Sequence, residues 1–173
     1  MSAFTDLRTD YLAIARRFAD HPDDWPLAPR FDPNKRWYHR IAEAQHSEVW
    51  LLSWLPGQAT DLHDHGGSAG AFVVVSGTVI EHTLAEHART ERARTERVLR
   101  PDRAGDALLR PTLLPAGAGR RFDAHHIHLL GNDGDRPAVS VHVYGPALTS
   151  MTRYRVDGGE LRATAVDRAG VQW

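Results

Sequence analysis

The sequence predicts an all-β jelly-roll barrel preceded by one short helical segment. Three features point there. Short β-prone runs recur along most of the chain, Gly, Pro, Asn or Asp separates them, and helical periodicity is confined to the N-terminal end. At 173 residues the chain has the length of one domain, read as a helix and Pro-rich lead-in over 1–36 and a barrel over 37–173. With 42% hydrophobic and 25% charged residues it has the balance of a soluble globular protein. A formal net charge of -1, with both signs interspersed, argues against nucleic acid or an anionic membrane. The expected partner is a small molecule, and the chain is expected to be a monomer or small homo-oligomer. No cysteine is present, so there are no disulfides or thiolate ligands, and any metal must be held by His, Asp or Glu. The first ten residues carry three charged side chains and lack the apolar centre of a secretory signal. No apolar run reaches membrane-spanning length. The cytoplasm is the expected location.

Leu7, Tyr11, Ala15 and Phe18 recur at helical spacing and predict an amphipathic helix over Thr5 to Ala19. Pro22, Pro26, Pro29 and Pro33 then enforce a loop. Strands are expected near Trp37 to Ala42, Glu48 to Trp54, Ala71 to Ser76, Thr78 to Leu84, Arg97 to Arg100 and Ala107 to Leu113. Further strands are expected near His125 to Leu130, Ala138 to Tyr144, Thr152 to Val156 and Leu161 to Val166, with a hairpin turn at Asp157-Gly158-Gly159. The tandem unit in Ala88 to Arg97, ARTERARTER, carries four arginines. Glu91 and Glu96 interrupt them and no aromatic is interleaved, so it reads as a solvated hairpin tip rather than a nucleic-acid patch.

Eleven histidines is a high count, and their placement matters more than their number. His63 and His65 lie two apart in an extended segment, so both imidazoles point to one face. An HxH pair is weak evidence by itself, but here it sits in a frame. Gly57, five residues, His63, one residue, His65, four residues, Gly70, six residues and Gly77 match every spacing of the first cupin motif. Many metal-binding cupins have a glutamate ligand at the position of Gly70. The tail of the second motif is His128-Leu129-Leu130-Gly131-Asn132, which makes His128 the third ligand, although Pro115-Ala116-Gly117 stands farther upstream than the usual pattern. His126, on the same expected strand face, and the adjacent His125 stay open as alternatives. Three neutral imidazoles suit Fe(II), Zn, Cu or Ni. They leave the ion its full charge, which favours an anionic ligand such as a thiolate.

In Ala138 to Tyr144, Val139, Val141 and Val143 take one face while Ser140, His142 and Tyr144 take the other, a polar set on a core strand that calls for a polar cavity. Together, His63-Asp64-His65-Gly66-Gly67-Ser68-Ala69-Gly70, Ser140-Val141-His142-Val143-Tyr144 and Tyr38-His39-Arg40 resemble the cysteine dioxygenase family of thiol dioxygenases, a branch of the cupins. The resemblance runs from roughly Trp37 to Pro146. It implies a cupin barrel with Fe(II) on His63, His65 and His128, O2 as co-substrate, and a small thiol oxidised to a sulfinic acid. It also implies that Tyr144, His142 and Ser140 act as the catalytic relay and that Arg40 and Tyr38 flank the substrate carboxylate. L-cysteine is the leading substrate, with 3-mercaptopropionate or a thiol-bearing histidine derivative as alternatives. Animal members join a cysteine to the equivalent of Tyr144, and Gly70 takes that cysteine's place here. A non-oxygenase metal-binding cupin is the competing class. A carboxylate at position 70, or the absence of the Ser140, His142 and Tyr144 set, would favour it.

Overall fold

The computed structural model describes residues 9–44, 46–85, 108–157 and 160–168. One helix, α1 (Tyr11–Asp20), leads in. Asp10 caps it by accepting a hydrogen bond from the Ala13 amide, and Pro22 follows the His21 end cap. Thr9 and Asp10 are not helical and residues 1–8 lie outside the described set, so the expected start at Thr5 moves to Tyr11. The strands are β1 (Tyr38–Ala44), β2 (Ser47–Trp54), β3 (Leu62–His63), β4 (Ala69–Ser76), β5 (Thr78–Leu84), β6 (Leu109–Pro115), β7 (Gly119–Phe122), β8 (His128–Gly131), β9 (Ala138–Gly145), β10 (Ser150–Asp157) and β11 (Glu160–Arg168). The arginine-rich tandem repeat, the expected strand Arg97 to Arg100 and the glycines of the expected hairpin turn lie outside the described residues.

Two antiparallel sheets form the jelly-roll, one ordered β1-β2-β9-β4-β7 and the other β11-β10-β3-β8-β5-β6. Alternation along the central strand β9 explains the layering. Val139, Val141 and Val143 pack outward with Val49, Leu51 and Val73 under Tyr11, Ala15 and Phe18 of α1. The inward face meets Leu52, Trp54, Phe72, Val74 and Leu130 in the barrel interior. Burying each such apolar side chain contributes roughly 1.5–3 kcal/mol. Because β9 is covered on both faces, every residue from Ala138 to Gly145 is buried.

Two short strands escape the sequence reading, and they shape the barrel mouth. β3 is two residues long, between β10 and β8. β7 and the turn after it fill the extra length between Gly117 and His128. The segment expected to be strand from His125 is a turn up to Ile127. The Asp123 side chain accepts from the His125 amide at 2.9 Å and the Asp123 carbonyl from the His126 amide at 3.1 Å, so the ladder begins only at His128.

Candidate metal centre

The centre lies between the sheets. His63 on β3 and His128 on β8 are direct cross-strand partners. His65 follows two residues after His63, on the same side of the extended chain. Asp64, between them, points away. Its carboxylate accepts from the Gly66 and Thr152 amides at 3.1 and 3.0 Å and from the Tyr154 hydroxyl at 2.7 Å, which pins the segment to β10. Gly66 makes the exit turn with φ +57, and a Cβ there would overlap the Ser150 carbonyl oxygen. The three imidazoles converge, with ring centroids 4.9 to 5.0 Å apart and one nitrogen of each within 4.8 Å of the others. All three are buried.

Hydrogen bonds decide which nitrogens are free. His63 Nδ1 lies 2.8 Å from the Asp61 carbonyl oxygen, and His128 Nδ1 lies 2.8 Å from the Glu81 carboxylate. Both partners can only accept, so each Nδ1 carries the proton and each Nε2 keeps a lone pair for a ligand. Among the described residues, neither ring nitrogen of the buried His65 has a hydrogen-bond partner. A buried, unsatisfied imidazole is costly in an apo core and becomes satisfied when one nitrogen binds a metal ion, so the donor set fits one. Burial pushes His63 and His65 well below the usual histidine range, the neighbouring His128 adds to this, and burial also lowers His128. The imidazoles are therefore neutral, as ligands must be.

Glu81 supports His128 from behind. Burial opposes its ionisation, but hydrogen bonds from His126 at 3.1 Å and His128 at 2.8 Å outweigh that and hold its pKa at about 2. Arg120 stands 3.7 Å from the second oxygen. His126 belongs to this flanking group and lies off the strand face of His128.

From the opposite sheet, Ser140, His142 and Tyr144 face the centre as one hydrogen-bonded string. Trp54 Nε1 donates to Ser140 Oγ at 2.9 Å, Ser140 Oγ meets His142 Nε2 at 2.9 Å, and His142 Nδ1 meets the Tyr144 hydroxyl at 3.2 Å. Burial lowers His142 well below the usual range and raises Tyr144 above it, so both are neutral. Tyr144 and His63 border a cavity of about 50 Å³ that Tyr38, Arg36, Trp54 and Met151 also line.

The cysteine dioxygenase type I family profile matches residues 9–157 of this chain. The chain belongs to that family. Among curated proteins no sequence matches it. Solved structures agree on the fold. A Thermus thermophilus protein is 22% identical with a TM-score of 0.52, covering 69% of this chain and 90% of its own. A Klebsiella pneumoniae protein with a double-stranded β-helix domain is 18% identical with a TM-score of 0.51, covering 79% and 90%. An oxalate oxidase in complex with glycolate is 14% identical with a TM-score of 0.51, covering 69% and 56%. At these identities the likeness speaks for the cupin fold alone.

Within the family frame, one expected residue lands elsewhere. Tyr38 lines the cavity, but Arg40 does not. The Arg40 guanidinium pairs with Glu48 at 2.9 Å and Glu43 at 3.3 Å, its side chain is 45% exposed, and the ladder shifts register immediately after it. The buried Glu48 carboxylate draws Arg40 to the rim. Gly70, at the family's crosslinking position, is the direct cross-strand partner of Tyr144. A Cβ there would overlap the Val143 carbonyl oxygen and stand 2.6 Å from Phe122 Cζ. Phe122, which stacks on His65 at 4.6 Å, fills the space a longer residue 70 would need. Sequence reasoning missed Trp54, Glu81, Phe122 and Arg36. Trp54 and Arg36 had a readable signal, because each falls in the inward parity of its strand or the strand's direct extension.

Proposed function

We propose that this chain is an Fe(II)-dependent thiol dioxygenase that adds both atoms of O2 to the sulfur of a small carboxylate-bearing thiol, with L-cysteine the leading substrate. The observation that carries the reading is a converging set of three neutral imidazoles, with no carboxylate in the set among the described residues, one of which, His63, borders a small cavity together with the buried, protonated Tyr144. Iron held by His63, His65 and His128 would supply the redox centre at which thiolate and dioxygen meet. The overall change balances without an external reductant, since RSH + O2 gives RSO2H. Tyr144 offers a hydroxyl donor on the cavity side, His142 and Ser140 hold it in position, and the Trp54 N–H anchors the string at its far end. Phe122, Trp54 and Leu52 keep bulk water away from these polar atoms.

The test is anaerobic Fe(II) reconstitution followed by oxygen uptake with cysteine, 3-mercaptopropionate and cysteamine. The expected result is one O2 consumed per sulfinate formed. Thiol oxidised to disulfide with hydrogen peroxide released, or no uptake with iron bound, would overturn the reading.

A further inference from the structure

We propose that Arg36, and not Arg40, is the anion-reading residue of the cavity, and that the group it binds is the carboxylate of the small thiol. The proposal rests on the dioxygenase reading for the thiol and on Arg36 for the carboxylate. Three arginines stand at or near the cavity, and their charges are disposed of differently. Arg40 is paired with Glu48 and Glu43 at the rim. Arg153 lines the cavity and is held by Asp61 and Asp167. Arg36 lines the cavity beside His63 and Tyr144, and among the described residues no ion pair joins it to a carboxylate, the Asp61 on the same lining being taken up by Arg153. Its guanidinium carbon lies 5.5 Å from the Tyr38 ring centroid and 5.0 Å from that of Trp54.

Geometry then defines the ligand. Aromatic contacts engage the faces of a guanidinium and leave its in-plane N–H fork available, and that fork matches a carboxylate through two parallel hydrogen bonds. A cation placed among Tyr38, Trp50, Leu52 and Trp54 with no carboxylate of its own, the Asp61 carboxylate on the same lining being paired with Arg153, carries a desolvation cost that an incoming anion relieves. A cavity of about 50 Å³ admits only a small ligand, given that one water needs about 10–15 Å³ on that measure. His63 borders the same cavity, so a ligand with its carboxylate on Arg36 presents its other end toward the three imidazoles.

The experiment is anaerobic calorimetric titration of 3-mercaptopropionate and of cysteamine into iron-loaded and metal-free protein, with wild type, R36Q, R36K and R40Q. R36Q is expected to weaken 3-mercaptopropionate by about ten- to a hundredfold and to leave cysteamine within about twofold. R36K, which keeps the charge and loses the fork, is expected to fall between, which also separates a binding role from a folding defect. R40Q is expected to match wild type with both ligands. An unchanged ratio of the two affinities in R36Q, or the selective loss appearing in R40Q, overturns the proposal. A selective loss in R36Q together with no thiol oxidised by wild type would sink the dioxygenase reading and keep Arg36. Oxidation without discrimination would do the reverse.

Discussion

Glu81 accepts a hydrogen bond from His128 Nδ1 at 2.8 Å and a second from His126 at 3.1 Å, so one buried carboxylate fixes the tautomer of an imidazole of the candidate metal centre and holds its neighbour off the centre. A charged acceptor behind an imidazole raises its basicity toward a metal ion. Glu81→Gln keeps the shape and an acceptor oxygen but removes the charge. It is expected to lower Fe(II) or Zn(II) affinity by about 10–100-fold in chelator competition while the barrel stays folded. Glu81→Ala leaves two donors unpaired and is expected to cost a further 1–3 kcal/mol, roughly, in urea denaturation of metal-free protein. Unchanged metal affinity in the glutamine variant would reduce Glu81 to a packing role.

His65 makes a different demand. Its ring is buried and neither nitrogen finds a partner among the described residues, whereas His63 and His128 each donate to a protein oxygen. Replacing any of the three by alanine is expected to abolish stoichiometric metal content, and His126→Ala is expected to retain it. His65→Leu should separate binding from stability, because it removes the unsatisfied polar atoms along with the ligand. Metal-free His65→Leu is expected to be at least as stable as metal-free wild type. A loss above about 2 kcal/mol would mean that a polar partner, such as ordered water, satisfies His65 in the apo protein.

How much of this was legible in the sequence depended on the range of the forces involved. The strand β5 was readable to the residue, and the Ser140, His142 and Tyr144 face was readable from parity, because burial on both sides of β9 enforces a strict period of two. β3 is too short to show a period, and β7 reads Gly-Arg-Arg-Phe, with two exposed arginines and no alternation. The turn at 123–127 replaced an expected strand because Asp123 captures two local amides, a short-range competition that strand propensity does not register. Arg40 shows the other limit. Parity put it on the inward side of β1, but the reach of a long side chain depends on what stands across the ladder: Arg40 is opposite Trp50, and Glu48, opposite Glu43, comes within its diagonal reach only once the register is known. Arg36 has the same parity, two residues before Tyr38, and was hidden in a stretch whose prolines read only as loop.

Gly70 marks a steric rule. The carbonyl oxygen it would meet is backbone, held in the β4–β9 ladder, and cannot move aside as a flexible side chain would. Gly70→Ala is expected to destabilise by about 1–3 kcal/mol or more. Adding Phe122→Leu is expected to relieve only part of this, because the contact with Val143 remains. Full rescue in the double variant would mean that Phe122, and not the ladder, sets the requirement.

The buried histidines give the metal-free protein a pH dependence whose sign follows from linkage. His63, His65, His128 and His142 all have folded-state pKa values below the ordinary value of about 6.5, because burial disfavours the charged form. As pH falls through about 6.5 the unfolded chain takes up protons that the folded chain refuses, so stability is fully present above that value and declines below it. Each imidazole contributes up to about 1.4 kcal/mol per pH unit in that window. Urea midpoints of metal-free protein at pH 7.5, 6.5 and 5.5 are expected to fall modestly over the first step and steeply over the second. A flat profile down to pH 5.5 would show these rings to be solvated.

The string from Trp54 to Tyr144 satisfies every member in one direction, in which the Ser140 proton goes to His142 Nε2, the one acceptor it meets among the described residues. The Trp54 indole N–H can only donate, so it occupies one lone pair of Ser140 Oγ and leaves the serine proton free for His142 Nε2. Neutral His142 then carries its proton on Nδ1 and donates it to the Tyr144 oxygen, which frees the phenol proton to point into the cavity. Burial raises the Tyr144 pKa, so this proton stays in place near neutral pH, and under the proposed dioxygenase reading the residue is a hydrogen-bond donor and not a base. Tyr144→Phe is therefore expected to lower kcat/KM by about ten- to a hundredfold, the worth of a hydrogen bond to a charged group, with metal content unchanged. Trp54→Phe removes only the outer anchor. It frees Ser140 to reverse and is expected to cost less than Tyr144→Phe, with the double variant no worse than Tyr144→Phe alone. The comparison is a double-variant cycle on kcat/KM with metal content measured in each protein. Additive losses would show that Trp54 acts through packing and not through the string.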